Sequence, residues 1–378
     1  MKRLLFKTVL FALVTIFAIG YGVSKTYAAS NTIKVGVVYS MTGPVASFGQ
    51  SAWQGLQVAK EIMPTALGKK IDLILVDDQG DKVQAANAVN KLIYDNKVDA
   101  IIGPLISGNV MSATPIVEKA KIPLITPTGT NPLLTEGKNF ISRACFIDPF
   151  QGKVAAIYAV KDLHAKTAAL VIDSAQDYSV GLAKFFEENF KKLGGRIVAK
   201  TFIQTGESNF SAQIASLKPA NPQIIYMPCY YQEIALFARQ AREFGLKQPI
   251  LAGDGAAEAA LIKVGGAAVN GLTFTTGFAP EAIKTPLGKK FEQAYQAKYH
   301  KLPDNFAALS ADAYFMLVNA IDRAKSDNPI KINTALRATK NFQGVTGNIT
   351  LVKGDAIKPA VIEKVENGKF VYVTTINP

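Results

Sequence analysis

The residues with chemistry to offer are few, and the most suggestive are hydroxyls. Ser107, Thr128 and Thr130 lie in AIIGPLISGNVMSATPIVEKAKIPLITPTGTNPLLT, Ala100 to Thr135, where two apolar runs each end in a turn of Gly, Pro, Ser and Thr. GPLISGNV puts Ser107 just ahead of a helix expected to start near Asn109. The first N–H groups of a helix have no partner within it and the helix dipole favours negative charge, so a hydroxyl there can help to hold an anion. TPTGTNP adds Thr128 and Thr130 from the end of the next strand, with Gly129 between them to let the backbone come close. Taken alone, the same residues serve equally well as helix caps.

Catalytic chemistry is poorly supplied. There is no GxxxxGK[ST] or GxGxxG at a strand-to-helix turn and no GxSxG elbow, and neither His164 nor His300 neighbours a nucleophile motif. Two cysteines and two histidines leave the usual metal sites without ligands, and no cofactor is expected. VDDQGD, Val76 to Asp81, offers three carboxylates, but such residues at a strand end favour the start of the next helix, near Val83. Cys145 and Cys229 are expected to remain two separate thiols, since they form no disulfide framework.

Residues must be positioned by elements, and the elements repeat. The first thirty residues stand apart: Lys2, Arg3 and Lys7 precede a run uncharged from Thr8 to Ser24, broken by Gly20 and Gly22 and followed by TYAA. That is the pattern of a secretory signal cleaved near Ala28, and no later apolar run is long enough to span a membrane. Roughly 350 residues remain, too many for one core. The formal charge of +13 falls when the leader goes, the remaining Lys and Arg are scattered, and nucleic acid is therefore not an expected partner.

After the leader, apolar runs alternate with amphipathic ones: IKVGVVYS then SAWQGLQVAKEIM, IDLILVDD then VQAANAVNKLIYD, VDAIIGP then VMSATPIVEKA, then IPLITP. This predicts parallel sheets covered by helices on both faces. Beyond FISRACFIDPFQG the pattern starts again with AALVID and ends with GLTFTTG. The reading is α/β, with two similar lobes. Long helices are expected between Thr285 and Lys325, broken at Pro303, and AVIEKVENGKFVYVTT reads as a hairpin turning at Asn367 and Gly368. No linker separates the lobes, so crossing strands would form a hinge of the kind that closes on small ligands.

Four stretches in order, IKVGVVYSMTGPVASFGQSAWQGLQVAKEIM, VDAIIGPLISGNVMSATPIVEKAKIPLITPTGTNPLLT, DYSVGLA and ARQAREFGLKQPILAGDG, resemble the leucine/isoleucine/valine-type periplasmic substrate-binding proteins of ABC transporters. The resemblance covers essentially the whole mature chain. It implies the type I periplasmic binding protein fold: two Rossmann-like lobes, residues 30–147 with 277–346 and residues 148–276 with 347–378, joined by a three-segment hinge. It implies a periplasmic, non-catalytic, monomeric receptor that closes on an amino acid, branched-chain or otherwise apolar, and delivers it to ABC permease subunits in the membrane.

By the same resemblance Ser107, the backbone at Thr128, and Thr130 would hold the ligand carboxylate. Asp254, in AGDG, would meet the ammonium, and Phe48, Leu105, Tyr178 and Tyr230 would line the side-chain pocket. Each has a plainer role open to it, Asp254 as a turn residue and the aromatics as core or surface. Asp254 stands where relatives often carry glutamate, and CYYQE is bulkier than the glycine-rich turn often found there. The resemblance therefore leaves room for a receptor of aromatic carboxylates or amides, or for a ligand-sensing regulator on the same fold.

Overall fold

The computed structural model describes residues 31–378, so the expected leader, residues 1–28, lies outside the described residues. The first sheet holds β1 (Thr32–Tyr39), β2 (Thr65–Ala66), β3 (Lys69–Asp77), β4 (Ala100–Ile102), β5 (Leu124–Thr126) and β6 (Ile141–Arg143), in the order β2-β3-β1-β4-β5-β6. All pairs are parallel except β2 with β3. The second sheet is built on β7 (Thr167–Asp173), β8 (Arg196–Ile203), β9 (Ile224–Met227), β10 (Ile250–Ala252) and β11 (Thr273–Thr276), parallel in the order β8-β7-β9-β10-β11. Ile33, Val35, Val37 and Val38 of β1 are all fully buried, as a strand sandwiched between helices requires.

The two sheets are wound alike. In each, the second long strand lies on one side of the first and the third on the other, which opens a crevice at the carboxyl ends of β1 and β4 and of β7 and β9. Gly103 carries the chain out of β4 at φ 95°, and a Cβ there would stand 2.2 Å from the Val38 carbonyl oxygen. Only glycine leaves β4 so close beside β1.

The chain crosses between lobes three times. It leaves β6 for the helix Asp148–Lys161, which packs on the helix Asp177–Lys192 of the second lobe. It returns after β11 through Gly277, whose N–H donates to Asn305 Oδ1 at 3.1 Å, into the helices Pro286–Tyr299 and Asn305–Ala324. A small sheet follows, β12 (Phe342–Gly344), β13 (Gly347–Val352) and β14 (Asp355–Ile357), and then β15 (Ala360–Glu366) and β16 (Lys369–Ile376) extend the second sheet from β11 as an antiparallel hairpin. Asn367 and Gly368 both have positive φ, so the expected turn is the one formed.

The third crossing follows the small sheet. There β13 pairs with β12, and Arg143 at the end of β6 takes the Gly354 carbonyl through its N–H (2.9 Å) and Asp355 through Nε (2.8 Å). These strands form a small sheet of their own, tied to the end of β6 through Arg143, and the chain reaches the second sheet at Ala360. Short strands of this kind carry no periodicity of their own and are fixed by what they pair with. At this crossing Lys358 is buried, with its Nζ on Thr346 Oγ1, and Thr346 N–H in turn donates to Asp312 at 3.0 Å.

The helix Ala46–Ile62 lies against Asn305–Ala324 so closely that a Cβ on Gly55 would meet the Ala307 carbonyl oxygen at 2.1 Å. These two helices carry Phe48 and Phe306. Gly55→Ala is therefore expected to force them apart and cost about 1–3 kcal/mol. Chemical denaturation of the purified protein checks this, and an unchanged midpoint would show that the helices have room to spare.

Candidate ligand-binding site

A small cavity lies between the two crevices, lined by Phe48, Leu105, Ile106, Ser107, Thr128 and Phe306 from the first lobe and Tyr178, Tyr230, Asp254 and Gly255 from the second. All the residues singled out in the sequence are in this wall except Thr130. Thr130 is buried behind it, against Asp148, and its carbonyl accepts the Asp148 N–H at 3.0 Å. Gly129 is likewise turned into its own lobe, where its carbonyl accepts from Arg143 Nη1 at 2.8 Å.

The first-lobe wall is made by strand ends. The helix after β4 runs Ser107–Ala120, two residues earlier than expected, and its cap position, Ile106, has no side-chain cap. Ser107 is thus inside the first turn and caps nothing on its own helix; its Oγ accepts the Asn131 N–H at 3.3 Å. Thr128 Oγ1 donates to the Leu105 carbonyl at 2.8 Å, tying the turns after β4 and β5 together. The helix amino end is left facing the cavity with Ser107 beside it, a setting that favours negative charge.

The opposite wall carries a carboxylate. Asp254 opens the short turn Asp254–Ala256 after β10 and is only 5% exposed. Its Oδ1 accepts from Gln151 Nε2 and from Tyr178 Oη, each at 2.9 Å. Burial pushes its pKa up to about 6, against the pull of these two donors. Deeper still, burial pushes Asp148 up to about 8, so it is expected to carry a proton at neutral pH.

Aromatic rings join the two walls. Tyr178 stacks on Tyr230 (5.4 Å, 9°), Tyr230 meets Phe48 edge-on (5.6 Å, 85°), and Phe48 stacks on Phe306 (4.0 Å, 12°). Beside the cavity the lobes touch: Asn131 Nδ2 donates to the Asp177 carbonyl (3.0 Å), Tyr231 Oη to the Pro44 carbonyl (3.2 Å), and Lys82 pairs with Asp177 (2.7 Å). The cleft is closed.

Sequence reasoning missed Phe306, Ile106, Gly255 and Gln151. Phe306 had a signal, since it begins the helix that Pro303 and the capping Asp304 announce. The carboxylates of VDDQGD prove structural: Asp81 caps its helix through Val83 and Gln84, and Asp78 is held by Ser40 and Asn109. Among the described residues no cluster of His, Cys, Asp or Glu could hold a metal, and Cys145 and Cys229 are both free and buried.

Residues 32–369 match the family model described as periplasmic binding protein. The chain belongs to the periplasmic binding protein family. This binding protein is 31% identical over 352 residues to Leu/Ile/Val-binding protein homolog 3 of Brucella melitensis, covering 91% of this chain and 94% of the relative. It is 30% identical over 340 residues to the leucine-, isoleucine-, valine-, threonine- and alanine-binding protein of Pseudomonas aeruginosa, covering 88% and 90%. Among solved structures, a leucine-binding protein of Thermotoga maritima superposes with a TM-score of 0.90 at 46% identity, covering 92% of this chain and 99% of that one. The branched-chain amino acid binding protein of Streptococcus pneumoniae, solved with isoleucine, gives 0.86 at 32%, covering 92% and 100%. A Rhodopseudomonas palustris protein solved with benzoate shares the fold, with a TM-score of 0.84 at 21% identity and coverage of 92% and 97%.

In this binding protein the Gly255 N–H donates to Tyr178 Oη at 3.2 Å, so one hydroxyl holds both Asp254 and the turn that carries it. Tyr178→Phe keeps the ring on Tyr230 and removes that hydroxyl. Amide exchange at Gly255 is expected to quicken by about tenfold or more, the loss of one hydrogen bond to a buried group. Hydrogen-exchange mass spectrometry reads this directly, and unaltered protection would mean the turn holds itself.

Proposed function

We propose that this binding protein closes on an α-amino acid with a branched-chain or otherwise apolar side chain and presents it to the permease of an ABC importer. The observation that carries the reading is the pairing of opposite electrostatic ends across one cavity: a helix amino end with Ser107 and Thr128 on one lobe, and Asp254 on the other. A zwitterion satisfies both at once, carboxylate to the helix end and ammonium to Asp254. The walls between, Phe48, Leu105, Tyr230 and Phe306, suit an apolar side chain, and among the described residues Asp254 is the single charged one lining the cavity.

Relatives whose names specify leucine, isoleucine and valine support this reading, as does the neighbour that holds isoleucine. An aromatic carboxylate would occupy the helix end but leave Asp254 buried without a counter-charge, which makes it the poorer fit. Binding does not require a reacting group, and the wall supplies no nucleophile paired with a base. A periplasmic address, cleavage of the leader near Ala28 and hand-over to membrane subunits complete the reading.

Calorimetry with leucine and with its deamino analogue isocaproate tests it. Asp254→Asn is expected to cost about 2–5 kcal/mol for leucine and far less for isocaproate, because only leucine brings an ammonium that would be stranded. Ser107→Ala should weaken both by about 10-fold to 150-fold, one hydrogen bond to a charged group. Protonating Asp254 removes the ammonium's partner, so leucine affinity should fall as pH drops below about 6. Absence of binding by every α-amino acid tried would overturn the assignment.

A further inference from the structure

Asp254 does not hold its own position. Gln151, in the first turn of the helix Asp148–Lys161, is fully buried, and its Nε2 donates both to Asp254 Oδ1 (2.9 Å) and to Thr275 Oγ1 (2.8 Å). A carboxylate can only accept, so the amide has a single orientation, nitrogen toward Asp254 and oxygen away. In that orientation Gln151 Oε1 is buried with no hydrogen-bond partner among the described residues. An unpaired buried acceptor is costly, and an apolar side chain of the same length would avoid the cost. The arrangement favours the donor end over the satisfaction of the residue itself.

The chain around Gln151 is equally specific. It follows the first crossing by three residues from the helix start, while Thr275 stands on β11 just before Gly277, where the second crossing begins. Gln151 itself is not in the cavity wall.

We propose that Gln151 is the positioning residue of the ammonium site, aiming the Asp254 carboxylate into the cavity and anchoring it to the strand and helix that flank two of the three crossings. The inference rests on the reading of Asp254 as the partner of a ligand amine. Tyr178 and the backbone N–H groups of Asp254 and Gly255 also meet the carboxylate; Gln151 adds a second side-chain donor on Oδ1, which narrows the directions that oxygen can take. Because the amide stabilises the ionised form, it also keeps Asp254 charged at lower pH than burial alone would allow.

Two variants test this, Gln151→Met, which preserves length and removes both donated bonds, and Thr275→Val, which removes only the tether on Gln151. Each is titrated calorimetrically with leucine and with isocaproate between pH 5 and 8, a range of about three units around the Asp254 value. For Gln151→Met, leucine affinity should fall about tenfold or more while isocaproate changes less than about twofold, and the acid limb of the leucine profile should move to higher pH. Thr275→Val should move the same ratio and the same limb in the same direction by a smaller amount, and it carries the test alone if Gln151→Met does not fold. Equal losses for the two ligands, or an amino-to-deamino ratio and acid limb that stay where the unaltered protein has them, would reduce Gln151 to a packing residue. Equal affinity of the unaltered protein for leucine and isocaproate would instead remove the reading of Asp254, and the inference with it.

Discussion

A carboxylate buried among aromatic rings is expensive unless donors meet it, and the placement of Asp254 makes that cost the organising constraint of this molecule. Gln151 and Tyr178 supply the donors. Tyr178 can do so because its ring is clamped against Tyr230, and Tyr230 is met in turn by Phe48, stacked on Phe306. Phe48 and Phe306 face each other because Gly55 lets their helices touch backbone to backbone. One buried charge on the second lobe is thus supported by a chain of contacts that ends in the core of the first.

The two sheets make that arrangement possible. Each delivers its strand ends to a crevice, and three crossings with no long linker bring the crevices face to face. The crossings are held by polar side chains: Asn305 on Gly277, Arg143 on the Gly129 and Asn131 carbonyls and on Asp355, and Lys358 on Thr346. Buried polar groups have few ways to be satisfied, so such clamps fix direction better than apolar packing does. Lobes joined by crossings fixed in this way hold a helix amino end and a carboxylate at opposite ends of one small cavity.

Much of this was legible in the sequence, and the reasons differ by element. Parallel strands packed under helices are largely apolar, so IKVGVVYS, buried over most of its length, and the half-buried IDLILVDD announced themselves, as did the hairpin at Asn367 and Gly368. The turn hydroxyls Ser107 and Thr128 stood out because turn chemistry is local, while Asp254, Phe48, Leu105, Tyr178 and Tyr230 came from the family resemblance alone; Thr130 lies behind the wall and the helix after β4 begins at Ser107. Gln151 could not be found in this way, since its partner Asp254 is 103 positions away and no motif joins them. The place of β12–β14 is set in the same non-local way, by Arg143 and by one another, and nothing within residues 347–357 states it.

The central claim is that one zwitterion bridges two electrostatically opposite walls, and a crystal structure of the mature protein grown with leucine tests it most directly. The account predicts the leucine nitrogen within about 3.2 Å of an Asp254 oxygen, and the carboxylate within the same reach of Ser107 and the amino end of the helix Ser107–Ala120. Leucine bound elsewhere, or seated in this cavity with its amino group away from Asp254, would contradict it.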